Sequence, residues 1–206
     1  MIQEMPRRTF TVADDALLSR AANMQQAAVT YQTQLADYGF TAAMITALDT
    51  AIEEAIVFPT DEIKLLEITE ATQLADAKEE ELREAIRAIV TRAILVWGEK
   101  SVRVAQFRAE TLSKQTREIL RGTAGRVVDM ANRYATELAT KGVTPAMIAA
   151  VTTASDELKT AISNLMDAED SRRDASEERV SKLNGIYEML QELSVAGKNA
   201  FADDPV

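Results

Sequence analysis

Carboxylates are the side chains that could most readily do chemistry in this sequence. Glu79-Glu80-Glu81 and the group Asp167, Glu169 and Asp170 could offer oxygen ligands to a hard cation. Neither lies in a D-x-D-x-D-G loop that would wrap an ion, and consecutive acids on a helix point to different faces. A solvated surface is therefore the expectation for both. An acid/base pair of the glycosidase kind needs two carboxyls facing each other in a cleft, and no spacing here specifies one. Tyr31 and Tyr134 recur about two helical turns before a shared turn motif. They could be a duplicated ligand contact, but the amphipathic ring favours packing against the next helix with the hydroxyl at the rim. Trp97, the only tryptophan, is read as a plug at a bundle end rather than a partner hot spot. Met44 and Met147 are read as core filling rather than an adaptable groove.

The residue types that are missing narrow the chemistry further. The 206-residue chain has no cysteine and no histidine. That excludes disulfides, thiolate chemistry, zinc ribbons, iron–sulfur clusters, Ser-His-Asp and Cys-His triads, and histidine-ligated metals. No glycine-rich phosphate loop or catalytic motif is present. No catalytic, cofactor-binding or metal-ligating residue is nominated, no cofactor is expected, and the chain is expected not to be an enzyme. Net charge is −10, with a pI near 4.7, which repels phosphate backbones. The series Arg83, Arg87, Arg92 and Arg117, Arg121, Arg126, Arg133 is diluted by acids and carries no aromatic platform, so nucleic acid is not an expected partner. The start MIQEMPRRTF lacks an apolar h-region and no run of about 18 apolar residues occurs, so neither a signal peptide nor membrane insertion is expected. A cytoplasmic protein is the expectation.

The elements that would position these side chains are helices. Gly and Pro are sparse, at 7 and 4, and strong helix formers dominate. Asp14–Glu54 aligns without a gap with Arg117–Glu157 at an offset of 103, including Leu17/Leu120, Ala21/Ala124, Tyr31/Tyr134, Leu35/Leu138, Gly39/Gly142, Thr41/Thr144 and Ile45/Ile148. A looser match pairs 77–82 with 175–180 at an offset of 98. Each copy begins with a helix A, from about Thr11 to Asp37 in the first and reaching Lys141 in the second. In the turn motifs GFTAAMI and GVTPAMI, Gly39 and Gly142 can end helix A in the left-handed conformation, and Thr41 and Thr144 can cap helix B. Gly122 and Gly125, inside the second helix A, predict a frayed start or a close helix contact. Pro59 breaks or kinks the B–C junction of copy one. Copy two has neither Pro nor Gly from Ala146 to Asn184, so B and C are read as one long helix. The polar segment Asp167–Ser181 is expected to be covered only along an Ala168/Ala175 edge.

The expected fold is all-α, an elongated up-and-down bundle of about four long helices built by internal duplication. Two tandem three-helix bundles in the manner of spectrin are the alternative. The first repeat is placed at 1–106 and the second at 107–206, packed as one bundle, with a linker near Ser101–Phe107. The Tyr-Gly-Phe-Thr-Ala-Ala-Met-Ile turn, the period near one hundred and the tail Gly197–Val206 resemble a group of uncharacterised bacterial proteins made of duplicated long helices. That resemblance implies a fold and no activity. The function expected is a non-enzymatic structural or protein-interaction module with unidentified protein partners, self-association being left open. The alternative is a helical-bundle binding protein for a small apolar or amphipathic ligand.

Overall fold

The computed structural model describes residues 6–109 and 111–202, and every element in them is helical. Along the chain these are α1 (Asp14–Thr30), α2 (Gln32–Ala36), α3 (Ala42–Val57), α4 (Asp61–Trp97), α5 (Val102–Ala105), a 3₁₀ turn at Leu112–Lys114, α6 (Arg117–Arg133), α7 (Ala135–Ala139) and α8 (Pro145–Ala200). Among the described residues no helix is long and apolar enough to cross a membrane.

The α2–α3 and α7–α8 turns form as the sequence predicts. Gly39 and Gly142 have φ of 89° and 79°, a region costly for any residue with a Cβ. Phe40 N–H donates to the Leu35 carbonyl and Val143 N–H to the Leu138 carbonyl, which satisfies the helix ends. The capping differs between the two turns. Thr144 Oγ accepts from Met147 N–H at 3.3 Å, whereas Thr41 makes no side-chain cap and offers only its carbonyl to Met44 and Ile45.

Helix A is shorter and less regular than expected. It begins at Asp14 behind Ala13, leaving Thr11 outside and exposed. In both copies it is interrupted at the shared tyrosine. Tyr31 (φ −108°, ψ 24°) and Tyr134 (φ −111°, ψ 27°) sit in the sparsely populated bridge region between α1 and α2 and between α6 and α7.

The B–C junction is continuous in the second copy and broken in the first. α8 runs for 56 residues through Asp167–Ser181, where Ala168 and Ala175 are half-buried. α3 stops at Val57, and Phe58 turns to extended backbone (ψ 137°) as the residue before a proline is driven to do. α4 restarts at Asp61, with Thr60 Oγ accepting from Ile63 N–H at 3.4 Å.

The chain forms two compact units, and they do not follow the repeat boundary at 106/107. Unit 1 is residues 1–64 with 171–206, and unit 2 is 65–170. In unit 1, Leu17, Ala21, Leu35, Ile45 and Leu48 from α1 to α3 bury against Leu183, Ile186, Leu190 and Leu193 of α8. In unit 2, Leu82, Ile86, Ile89 and Ala93 of α4 bury against Leu120, Val127, Leu138, Val151 and Leu158. Each A–B hairpin thus takes its third helix from the other half of the sequence. For the second half helix continuity supplies a reason: α8 runs unbroken from Pro145 to Ala200, so its C part cannot double back onto its own hairpin.

The expected linker at 101–107 lies within unit 2 and contributes Phe107 to its core. Ser101 caps α5 and Phe107 is fully buried. The offset of 98 does not bring the buried stripes of the C segments into register. Leu82, Ile86 and Ile89 correspond instead to Ile186, Leu190 and Leu193, an offset of 104. Gly122 and Gly125 lie well inside α6, which starts behind Thr116, and a Cβ at either would meet nothing within 4 Å. Neither a frayed start nor a close helix contact accounts for them.

Candidate functional site

The acidic run in α4 is an ion-pair network within unit 2. Glu79, whose side chain is 15% exposed, accepts from Arg83 one turn on and from Arg117 Nε at 3.0 Å. Arg117 also donates to Asp76 at 2.6 Å. Burial works against the charge on Arg117, and the bonds to Glu79 and Asp76 outweigh it, leaving its pKa raised. Glu80 accepts from Arg87 at 2.7 Å and from Arg83, and its carboxyl is held below the ordinary range by the Arg87 bond. Glu81 and Glu157 share Lys78 at 2.8 and 2.9 Å, which raises the lysine's pKa. Three consecutive acids therefore face three different sets of cations, as helix geometry requires. Asp167 and Glu169 are exposed on α8. Among the described residues no group of three or more acids converges as a metal site would need.

Each recurring tyrosine meets an aromatic at the end of a C segment, and Tyr134 also packs, partly buried, on the unit 2 core. Tyr31 stands edge-on to Phe201, with ring centroids 5.1 Å apart and planes at 75°. Tyr134 stands edge-on to Trp97, at 5.1 Å and 72°. Trp97 also meets the buried Phe107 at 6.5 Å, so it is one wall of an aromatic corner in unit 2. Arg103, which the sequence did not single out, lies over both Trp97 and Tyr134, at 5.5 and 5.0 Å from their centroids, and pairs with Glu137 at 3.2 Å. Met44 and Met147 each pack, partly buried, on the core of their own unit.

Asn184 is a second residue that sequence reasoning missed. Its Oδ1 accepts from Thr9 N–H and Thr9 Oγ–H at 2.9 and 3.0 Å, and its Nδ2 donates to the Arg7 carbonyl at 2.8 Å. One side-chain amide thereby fastens the extended segment before α1 to α8, beside the buried Phe10. The available signal was Asn184-Gly185 itself, a polar, helix-weakening pair without a counterpart in copy one.

Clefts lie in both units, one of about 410 Å³ in unit 2 between Leu74 and Lys78 of α4 and Thr160 and Asn164 of α8. The cleft in unit 1 is lined by Tyr38, Phe40 and Met44 beside the α2–α3 turn and by Gln191, Glu192, Val195 and Ala196 of α8. Another cleft in unit 2, about 390 Å³, is lined by Arg126, Asp129, Met130 and Arg133 of α6 and by Gln106 and Arg108. The arginine series divides accordingly. Arg83, Arg87 and Arg117 are absorbed in ion pairs and Arg92 donates to the Ala88 carbonyl, whereas Arg126 and Arg133, two turns apart on α6, line this cleft.

Comparison of the chain with family models, with curated proteins and with solved structures returned no match.

Proposed function

We propose that the chain is a duplicated, non-catalytic helical module that works by binding other proteins. The single observation that carries the reading is the set of large apolar side chains exposed in succession on either side of Pro59. Ile56 and Val57 at the end of α3 are 63% and 80% exposed, and Ile63 in the first turn of α4 is 52% exposed, all three in unit 1. Apolar groups in such density on a folded surface mark interaction sites. The state of the carboxylates agrees with a non-enzymatic role. Glu79 is committed to two arginines, and the shift at Glu80 is downward, opposite to the raised pKa of a proton donor.

Duplication is supported by the paired left-handed glycines, the paired tyrosine kinks and the coincidence of buried positions through Leu17/Leu120, Ala21/Ala124, Ala28/Ala131 and Leu35/Leu138. The same features underlie the resemblance to bacterial proteins of duplicated long helices. Replacing Val57 and Ile63 together by Gln tests the binding role by affinity capture from the native host. A partner retained by the parent chain and lost with the double variant supports it, and identical profiles overturn it.

The apolar cleft beside Phe40, Met44 and Val195 favours a second reading, binding of a small amphipathic molecule in unit 1. Protection of Met44 from oxidation by a bound fatty acid would distinguish it from the first.

A further inference from the structure

The arginine cleft of unit 2 is unusual for an acidic chain. Arg126 and Arg133 share the face of α6 with Asp129 and Met130, and Arg108 closes the cleft from the loop after α5. No carboxylate among the described residues pairs with Arg108, Arg126 or Arg133, although acids outnumber bases 33 to 23 over the whole chain. Elsewhere Arg83, Arg117, Arg172 and Arg179 hold carboxylates, Arg92 donates to the Ala88 carbonyl, and Arg121, like the three cleft arginines, has no carboxylate partner among the described residues. Three guanidinium groups around one hollow, with no carboxylate partner among the described residues, raise its potential locally against the negative mean field.

Arg108 adds an independent mark. It is the only described non-glycine residue with positive φ, at 51°, a conformation that Gly or Asn would take at less cost. The loop is nonetheless fixed, because Phe107 is fully buried beside it and Gln115 Nε2 donates to the Arg108 carbonyl at 3.4 Å. A strained backbone that holds an arginine side chain at the mouth of a basic cleft is consistent with use of that side chain.

We propose that this cleft binds a small soluble organic phosphate. Guanidinium forks match phosphate oxygens two at a time, and three of them exceed what one carboxylate can use. The volume is in the range of small-molecule sites, and Met130 gives the organic part an apolar contact. The acidic remainder of the chain disfavours an extended polyanion or an anionic membrane and leaves a compact ligand. The proposal does not depend on the protein-binding role.

Isothermal titration of the full chain with inorganic pyrophosphate at low ionic strength tests it. Saturable one-to-one binding is expected, weakened about tenfold by Arg126→Gln or Arg133→Gln. Arg108→Gly is expected to weaken binding without lowering the melting temperature, since it relieves the backbone. Asp129→Asn is expected to tighten binding several-fold, a gain that misfolding cannot imitate, while Arg20→Gln outside the cleft leaves it unchanged. No saturable binding, an equal loss with Arg20→Gln, or unchanged affinity with Asp129→Asn would overturn the proposal.

Discussion

Tyr31 meets Phe201 edge-on with ring centroids 5.1 Å apart, although 170 positions separate them in the sequence. The contact has a twin in Tyr134 and Trp97, at the same distance and within 3° of the same interplanar angle. In each case the tyrosine sits at the kink of a helix A, and its partner ends the C segment that completes the same unit. The aromatic pair therefore marks where an exchanged third helix seats on its hairpin.

Edge-to-face pairs contribute about 0.5–1.5 kcal/mol beyond the area they bury. A double-mutant cycle with Tyr134→Leu and Trp97→Leu should return a coupling of about 1 kcal/mol in urea unfolding. Among the described residues the Tyr134 hydroxyl makes no hydrogen bond, so Tyr134→Phe should fall within about 0.5 kcal/mol of the parent. Additive Leu substitutions would remove the pair from the account.

The glycines divide by backbone conformation. Gly122→Ala and Gly125→Ala fill open space in the interior of α6 and should each stabilise by about 0.5–1 kcal/mol. Gly39→Ala and Gly142→Ala also meet no atom, but their φ near 80–90° makes the substitution strained, and each should cost about 1 kcal/mol or more. Denaturant midpoints of the four variants check the opposite signs.

The pattern of side chains made this contrast partly legible in advance. Gly39 and Gly142 were readable because each ends one apolar rhythm and begins another. Gly122 and Gly125 were not, because sequence alone cannot say whether a helical glycine faces a neighbour or solvent. The exchange of third helices was hidden for a related reason: amphipathic stripes on Leu82–Ala93 and Leu183–Leu193 state that a face is buried, not which hairpin buries it. The arginine cleft needed Arg108 brought to α6 by a loop whose course no periodicity encodes. The pairing of Arg172 with Asp61 and of Arg179 with Asp14 gave no sequence signal either, being 111 and 165 residues apart.

Stability should be nearly flat across neutral pH and fall on acidification. Without His or Cys, the only group that titrates near neutrality is the chain's amino terminus. Asp61 and Glu80 have pKa values lowered from 3.8 and 4.5, chiefly by hydrogen bonds from Arg172 and Arg87. A lowered folded-state pKa gives stability that is fully present above those unfolded values and lost as pH drops through the folded ones. Lys78 and Lys182 have pKa values raised from 10.5, first by their bonds to Glu81 and Glu54, so their contribution holds below 10.5 and is lost as pH rises through the higher folded value. Urea midpoints between about pH 5.5 and 9 should agree, with decline below about pH 4.5. A transition centred near pH 6.5 would contradict this.

The central claim is that each compact unit combines the hairpin of one half with the C segment of the other. Unit 2 happens to be contiguous in sequence, at 65–170, whereas residues 1–106 contain the hairpin of one unit and the third helix of the other. Urea unfolding of these two fragments, followed by helical circular dichroism and sedimentation, tests the claim most directly. The account predicts that 65–170 is a cooperatively folded monomer and that 1–106 unfolds without a cooperative transition. A cooperative monomer from 1–106 together with a non-cooperative 65–170 would contradict it.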